Sequence, residues 1–382
     1  MVNSREAATV DGYGTETSTS PEHADLPPAG RPEGGQLQAA RVPAAGASRA
    51  AIEHHYDVGR AFYGLWLDSN LVYSCAFWPD GTEVDDDLES AQRAKMDWHA
   101  RSARCDGALR VLDVGCGWGA LARYLVVERD VAHVTGLTLS ADQAGAPGAT
   151  TTPSEQFGTS ADLGASADLG ASADRGTSAD LGTARGTADN EAGRIDIRLE
   201  DWRDHIPDEP YDAVISVGAF EHFARNGLPR HLRQGVYRDF FDTMARQSRP
   251  GAWMSLQTIA YEDADPDTVQ TMPFLTEEIF PESGLPRLGD IVSAAEPSWR
   301  IVTLRSDPDH YAQTLKLWQR RLEANAQAAT ELVGRSTYRR YVRYLRLCRA
   351  LFEERVCTLY RLSLQQRPPG SANPPETLVG QR

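Results

Sequence analysis

The chain has 382 residues, 41% hydrophobic and 24% charged, the balance of a soluble globular protein with a sizeable core. Its 39 Lys and Arg against 54 Asp and Glu give a net charge of −15, which repels phosphate backbones and argues against a nucleic-acid partner. No stretch approaches the ~18 to 20 apolar residues of a membrane span and the polar start lacks a secretory core, so a cytoplasmic location without a transmembrane segment is expected.

In chain order, residues 1–48 are rich in Ala, Gly, Pro, Glu, Ser and Thr and read as a disordered tail, with a single domain over 49–382. A helix is expected over Leu88 to Cys105, a strand over Arg110 to Val114 (RVLDV), a helix over Ala120 to Glu128 and a strand over Val131 to Leu137. From about Ala144 to Ala192 the composition again turns low in apolar residues. Inside it a six-residue unit (SADLGA, SADLGA, SADRGT, SADLGT) repeats four times from Ser160 to Thr183, the mark of a surface insert. Strands are then expected at Ile195 to Leu199, Ala213 to Val217 and Trp253 to Ile259, with a helix at Tyr237 to Gln247 ended by Arg-Pro-Gly. Ser336 to Gln366 reads as one or two long helices, with Tyr338, Val342, Leu345, Phe352, Val356 and Leu359 as a core stripe. Alternating strands and helices of this kind build a doubly wound, Rossmann-like α/β sheet. The five cysteines form no CxxC or zinc spacing and read as free thiols; no metal site is expected.

After the first strand comes Asp113-Val114-Gly115-Cys116-Gly117-Trp118-Gly119, then a helical pattern. Glycines at such a turn let the backbone approach a ligand, and the helix N-terminus favours an anionic group. Gly115, Gly117 and Ala120 also satisfy the dinucleotide pattern GxGxxG/A, so the glycines alone leave the cofactor open. The second strand ends Gly136-Leu137-Thr138-Leu139-Ser140 without the acid of a nicotinamide site, and no Gly-Lys-Ser/Thr of a Walker loop follows.

The string VLDVGCGWGALARYL with GLTLSADQ resembles the S-adenosylmethionine loop of the cyclopropane fatty acid synthase and mycolic acid cyclopropane synthase family. HHYDVGRAFYGLWLDSNLVYSCAFW, LESAQRAK, EDWRD, SVGAFEHF, IFPESGLP and YRRYVRYLRLCRALFEERV follow in that family's order, from about Ile52 to Leu364. The resemblance implies a class I methyltransferase: a seven-stranded sheet with flanking helices and an added helical lid. It also implies that Tyr73 and Ser74 lie along S-adenosylmethionine, with Asp113, Gly115 and Gly117 at its amino-acid end. Thr138, Leu139 and Gln143 would surround the ribose, and Trp202 would stack on the adenine. For Trp202, a packing role is the alternative reading.

On the acceptor side the resemblance implies that an alkene attacks the sulfonium methyl and that a base then removes a proton from the new methyl as the ring closes. The base would be bicarbonate, held at Cys75, Glu221, Gln257 and Tyr311. Gln257 departs from the family's His-Thr-Ile, replacing a potential cation by a neutral amide. Cys75 reads as a shape element, and His222 is an open candidate beside Glu221. Tyr56, Phe62, Tyr63, Phe77, Trp78, Phe220, Phe280 and Tyr311 are candidates for an aromatic lining suited to a cation. Arg339, Arg343 and Arg346 share a helical face, either solvated or receptive to an acidic carrier protein or lipid phosphate. The expected activity is C-methylation, or methylene transfer, on an unsaturated lipid, a carrier-bound acyl chain or a lipophilic small molecule; peripheral membrane contact stays open. A small-molecule N- or O-methyltransferase and a non-catalytic S-adenosylmethionine-binding protein are the alternatives.

Overall fold

The computed structural model describes residues 58–79, 87–145, 194–262 and 283–368. The tail at 1–48, nearly all of the insert at 144–192, and the ring candidates Tyr56 and Phe280 lie outside the described residues.

The chain begins with a short helix α1 (Arg60–Tyr63) and then α2 (Leu88–Ser102), whose N-terminus is capped by Asp87 accepting from the Ser90 N–H. Next come β1 (Arg110–Val114), α3 (Ala120–Arg129), β2 (His133–Thr138) and α4 (Ala141–Ala144), then β3 (Arg194–Leu199) and β4 (Tyr211–Val217). A 3-10 turn at Phe220–His222 leads to α5 (Arg230–Gln247) and β5 (Ser248–Tyr261). The chain continues through α6 (Leu288–Ala295), β6 (Trp299–Ser306), α7 (Pro308–Ala324), α8 (Ala326–Glu353) and β7 (Cys357–Gln366).

The seven strands form one sheet in the order β3-β2-β1-β4-β5-β7-β6. The first five pair in parallel and β7 is antiparallel to both its neighbours. Alternating side chains divide the core between the two faces of the sheet. Leu112, Val214 and Met254 pack with Phe240, Phe241 and Ile291, while Val111, Ala213 and Ile215 pack with Ala100, Leu121 and Leu125. A third cluster joins α1, α7 and α8 through Phe62, Tyr63, Trp66, Trp318, Tyr341 and Tyr344; this is the added helical lid.

The seven-stranded class I methyltransferase fold is as expected, and the five expected strands are present. Residues 336–366 require correction. Helix α8 stops at Glu353, and Val356 and Leu359 do not continue its stripe. Cys357-Thr-Leu-Tyr-Arg-Leu-Ser-Leu reads with period two as well as with the helical period. Pairing on both edges decides for a strand buried on both faces. β6 was also missing from the sequence reading, because its mostly exposed edge pattern carries little apolar signal. Among the described residues no helix is long and apolar enough to cross a membrane, and no group of His, Cys, Asp and Glu is arranged to hold a metal. All five cysteines are buried and unbridged.

Candidate active site

The parallel strands end together at one edge of the sheet, and the loops there enclose a cavity. Its walls include all nine positions expected to hold a cofactor: Tyr73, Ser74, Asp113, Gly115, Gly117, Thr138, Leu139, Gln143 and Trp202. Gly115 and Gly117 both have positive φ, at +83° and +56°, but for different reasons. A Cβ on Gly115 would lie 2.4 Å from that of Ala219, so this glycine lets two loops close against each other. A Cβ on Gly117 would meet nothing within 4 Å, which leaves a bare stretch of backbone beside the cavity.

The opposite rim is fixed by short polar links. The Thr138 hydroxyl donates to Gln143 Oε1 at 2.7 Å and accepts from the Ser140 N–H at 3.1 Å, while Ser140 caps α4. Trp202 has a place in the packing as well as on the cavity wall. It lines the cavity, and its ring also packs 5.3 Å from Phe223 and from Phe240.

Several functional side chains were missed by the sequence reading. After β3, Glu200 and Asp201 add two carboxylates to the cavity wall. Glu200 is held at 3.0 Å by His205, whose other ring nitrogen meets the Tyr211 hydroxyl at 2.7 Å. Helix α2 contributes Lys95 and His99 to the wall, and Gln92 donates to the Ser74 carbonyl at 3.0 Å. Their i, i+3, i+7 spacing puts three polar groups on the buried face of an amphipathic helix, a signal present in the sequence. Lys95 donates to Ser74 Oγ at 2.7 Å, and burial pulls its ammonium down to about 7 against the attraction of Asp68. Burial likewise lifts Asp113 to about 7, and its buried Oδ2 has no hydrogen-bond partner.

The four acceptor-side positions lie behind the cavity wall rather than on it. Glu221 is buried, and its Oε2 accepts from Thr258 at 2.9 Å. A side chain on Gly218, which lines the cavity, would sit 3.8 Å from both Glu221 Oε1 and Ser74 Cβ, so only a bare glycine separates this carboxyl from the cofactor wall. Desolvation raises Glu221 to about 7. His222 does line the cavity, donating to or accepting from Ser283 at 2.7 Å, and burial lowers it to about 4. Cys75 is fully buried, its thiol raised by burial to about 11, as befits a shape element.

Gln257 is tied inward. Its Oε1 accepts from Arg361 Nε at 2.9 Å and faces His99 Nε2 at 3.2 Å. A guanidinium only donates, which fixes the amide orientation and makes His99 Nε2 the protonated nitrogen, so that neutral His99 accepts from Ser255 through Nδ1 at 2.8 Å. Burial holds His99 well below its usual range. Arg361 also donates to Asp307 and to the Ala76 carbonyl at 2.9 Å, with Cys75 Sγ at 3.5 Å. Thr314 on α7 accepts from the Ala76 N–H at 3.0 Å, and the ring of Tyr311, one turn earlier, lies tilted 4.6 Å from that of Phe352. Thus Cys75 and Gln257 meet through Arg361, while Tyr311 belongs to the lid cluster. Arg361 went unnoticed because it was assigned to a helix. On α8, Arg339 and Arg343 are exposed and Arg346 pairs with Glu323 at 2.8 Å.

The cavity therefore offers bare glycine backbone, an unpartnered carboxyl oxygen, a buried ammonium, a hydroxyl-amide pair and an indole wall. This donor and acceptor set fits a nucleoside joined to an amino acid. The sequence profile described as mycolic acid cyclopropane synthetase matches residues 45–156 and 179–362. A probable fatty acid methyltransferase of Pseudomonas putida is 32% identical over 315 residues, covering 82% of this chain and 68% of its own. Cyclopropane mycolic acid synthase 1 of Mycobacterium tuberculosis is 31% identical over 315 residues, 79% of this chain and 92% of its own. The solved structure of the cyclopropane synthase MmaA2 from Mycobacterium tuberculosis aligns with a TM-score of 0.66 at 25% identity, over 84% of this chain and 99% of that one. Mycolic acid cyclopropane synthase CmaA1, solved with SAH and CTAB, aligns with a TM-score of 0.64 at 29% identity, over the same shares.

Proposed function

Because the chain belongs to the mycolic acid cyclopropane synthetase family and is an S-adenosylmethionine-dependent methyltransferase, we propose that it methylates carbon, at an alkene of an unsaturated acyl chain or another lipophilic metabolite. The observation that carries this reading is the double membership of Tyr73. Its ring lines the cofactor cavity and also packs 5.4 Å from Trp66 and 5.3 Å from Trp318 in the lid cluster. A methyl group presented from the cavity thus faces an aromatic, water-poor region, which suits an apolar acceptor.

In this reading Ser74, Asp113, Gly115 and Gly117 hold the amino-acid end of the cofactor. Thr138, Leu139 and Gln143 surround its ribose, and Trp202 covers its adenine. When bound, S-adenosylmethionine supplies an electrophilic methyl on a sulfonium. The ring of Tyr73, backed by Trp66 and Trp318, stabilises positive charge developing on the acceptor carbon without competing as a nucleophile. Glu221, behind Gly218, would receive the proton that leaves the methylated acceptor; burial raises it to about 7, which makes its carboxylate a stronger base than that of an exposed glutamate.

Bicarbonate is not required in this scheme. The oxygen of Gln257 is engaged by Arg361 and His99, and Glu221 by Thr258, so these positions already have protein partners. The product is accordingly a methylated or exomethylene compound more than a cyclopropane. The test is turnover with unsaturated phospholipids, carrier-bound acyl chains and free unsaturated acids, read by mass spectrometry for a gain of about 14 Da, with and without added carbonate. Turnover confined to amines or phenols would refute carbon as the acceptor. Strong stimulation by carbonate with a cyclopropane product would restore the family's base.

A further inference from the structure

A methionine-derived ligand brings one carboxylate and one ammonium into a site, and each is costly to bury without an opposite charge or a full set of hydrogen bonds. Two side chains in the cavity wall are themselves buried ionisable groups with spare bonding capacity. Lys95 is 2% exposed, and its only hydrogen bond among the described residues is the 2.7 Å link to Ser74 Oγ, although an ammonium has three donors. Asp113 is 1% exposed and its Oδ2 has no hydrogen-bond partner. They come from different elements, the buried face of α2 and the end of β1, and both line the one cavity.

Resting on the cofactor assignment, we infer that Lys95 is the residue that reads the cofactor's carboxylate, directly and through Ser74, while Asp113 faces its ammonium. The two make this end of the cavity selective for an intact amino acid. The groups around Lys95 fit this division. Asp68, the other nearby acid, already accepts from the Val72 N–H at 2.7 Å and the Asn70 N–H at 3.1 Å. It balances the ammonium from outside the cavity wall, so the empty donor positions of Lys95 are not spent on it. Arg361, the nearest other cation, is taken up by Asp307, Gln257 and Ala76. Gln92 fixes the Ser74 carbonyl from one turn of α2 earlier, which holds the serine hydroxyl between Lys95 and the ligand's space.

A purely structural lysine, propping up the Ser74 loop, would weaken every ligand of the cavity alike. Calorimetric binding separates the two roles. The ligands are S-adenosylhomocysteine, which has the amino acid, and 5′-methylthioadenosine, which keeps the nucleoside and sulfur but lacks it. Lys95→Met is expected to weaken S-adenosylhomocysteine by at least about tenfold, the scale of one charge-assisted hydrogen bond, and to leave methylthioadenosine within about twofold. Equal loss for both ligands, or loss for neither, would overturn the inference. In the unmodified protein, the decarboxylated analogue of S-adenosylhomocysteine should bind at least about tenfold more weakly than the parent, a measurement that holds even where the variant fails to fold. Equal binding of the two would overturn it as well. An unmodified protein that binds no adenosyl ligand would instead refute the cofactor assignment on which the inference rests.

Discussion

Replacing Glu221 by glutamine should change how stability depends on pH. In the fold its carboxyl is buried, and desolvation lifts it from 4.5 to about 7 even though Thr258 donates to it. The folded chain therefore binds a proton more tightly than the unfolded chain. The stabilisation is complete below about pH 4.5 and is lost as the pH rises through about 7. At about 1.4 kcal/mol per tenfold change in proton affinity, the effect is roughly 3 kcal/mol. Glutamine keeps the shape and has no proton to lose. Urea unfolding of the two ligand-free proteins at pH 5, 6, 7 and 8 should show the variant gaining on the parent by about that amount toward pH 8. Asp113, raised from 3.8 to about 7, contributes a slope of the same sign in both proteins and cancels in the difference. A difference that stays constant from pH 5 to 8 would refute the argument, because it would mean that Glu221 is hydrated or paired in the fold.

The two glycines of the loop should fail differently. Gly117→Val projects a side chain toward open cavity and should abolish S-adenosylhomocysteine binding at a stability cost of about 1–2 kcal/mol from its positive φ, whereas Gly115→Ala forces a 2.4 Å contact and should lower the melting temperature more. Unchanged calorimetric affinity in Gly117→Val would misplace the cofactor. Arg361→Met removes the donor to Gln257 Oε1 and to the Ala76 carbonyl and one of the two cations on Asp307, which keeps Arg305 at 3.0 Å, and should cost about 1–3 kcal/mol in urea unfolding; unchanged stability would contradict this. Glu221→Gln should lower kcat strongly while leaving S-adenosylhomocysteine affinity unchanged, and near-normal turnover would remove it from the mechanism.

The cofactor half of the site was legible because its residues are local in sequence. Glycines, Thr138 and Gln143 sit at the ends of strands whose apolar runs are unmistakable, and the sheet's parallel order gathers those ends at one edge. The acceptor half was less legible because it is assembled from distant segments. Arg361 meets Cys75 and Ala76 across 285 or more residues of chain, and its strand has a mixed period that a helix also satisfies. Lys95 and His99 were hidden differently: polar residues on a helix read as solvent-facing until the buried face is known. Glu200 shows the limit of motif rules, since no motif of the glycine loop points to a carboxylate on the cavity wall from the end of β3.

Strand β7, the last of the described strands, lies inside the sheet, between β5 and β6. During synthesis the five parallel strands and β6 emerge first, yet β6 bonds only to β7 and cannot join the sheet without it. The same strand delivers Arg361, so it completes the sheet and adds a second cation to Asp307, which Arg305 already holds at 3.0 Å. A nascent chain that stops short of Cys357 would leave β5 as an open edge, with the Gln257 oxygen on that strand lacking its guanidinium donor. Competence is thus conferred late and in a single step, and premature termination anywhere upstream should yield a product destined for quality control rather than a slower enzyme.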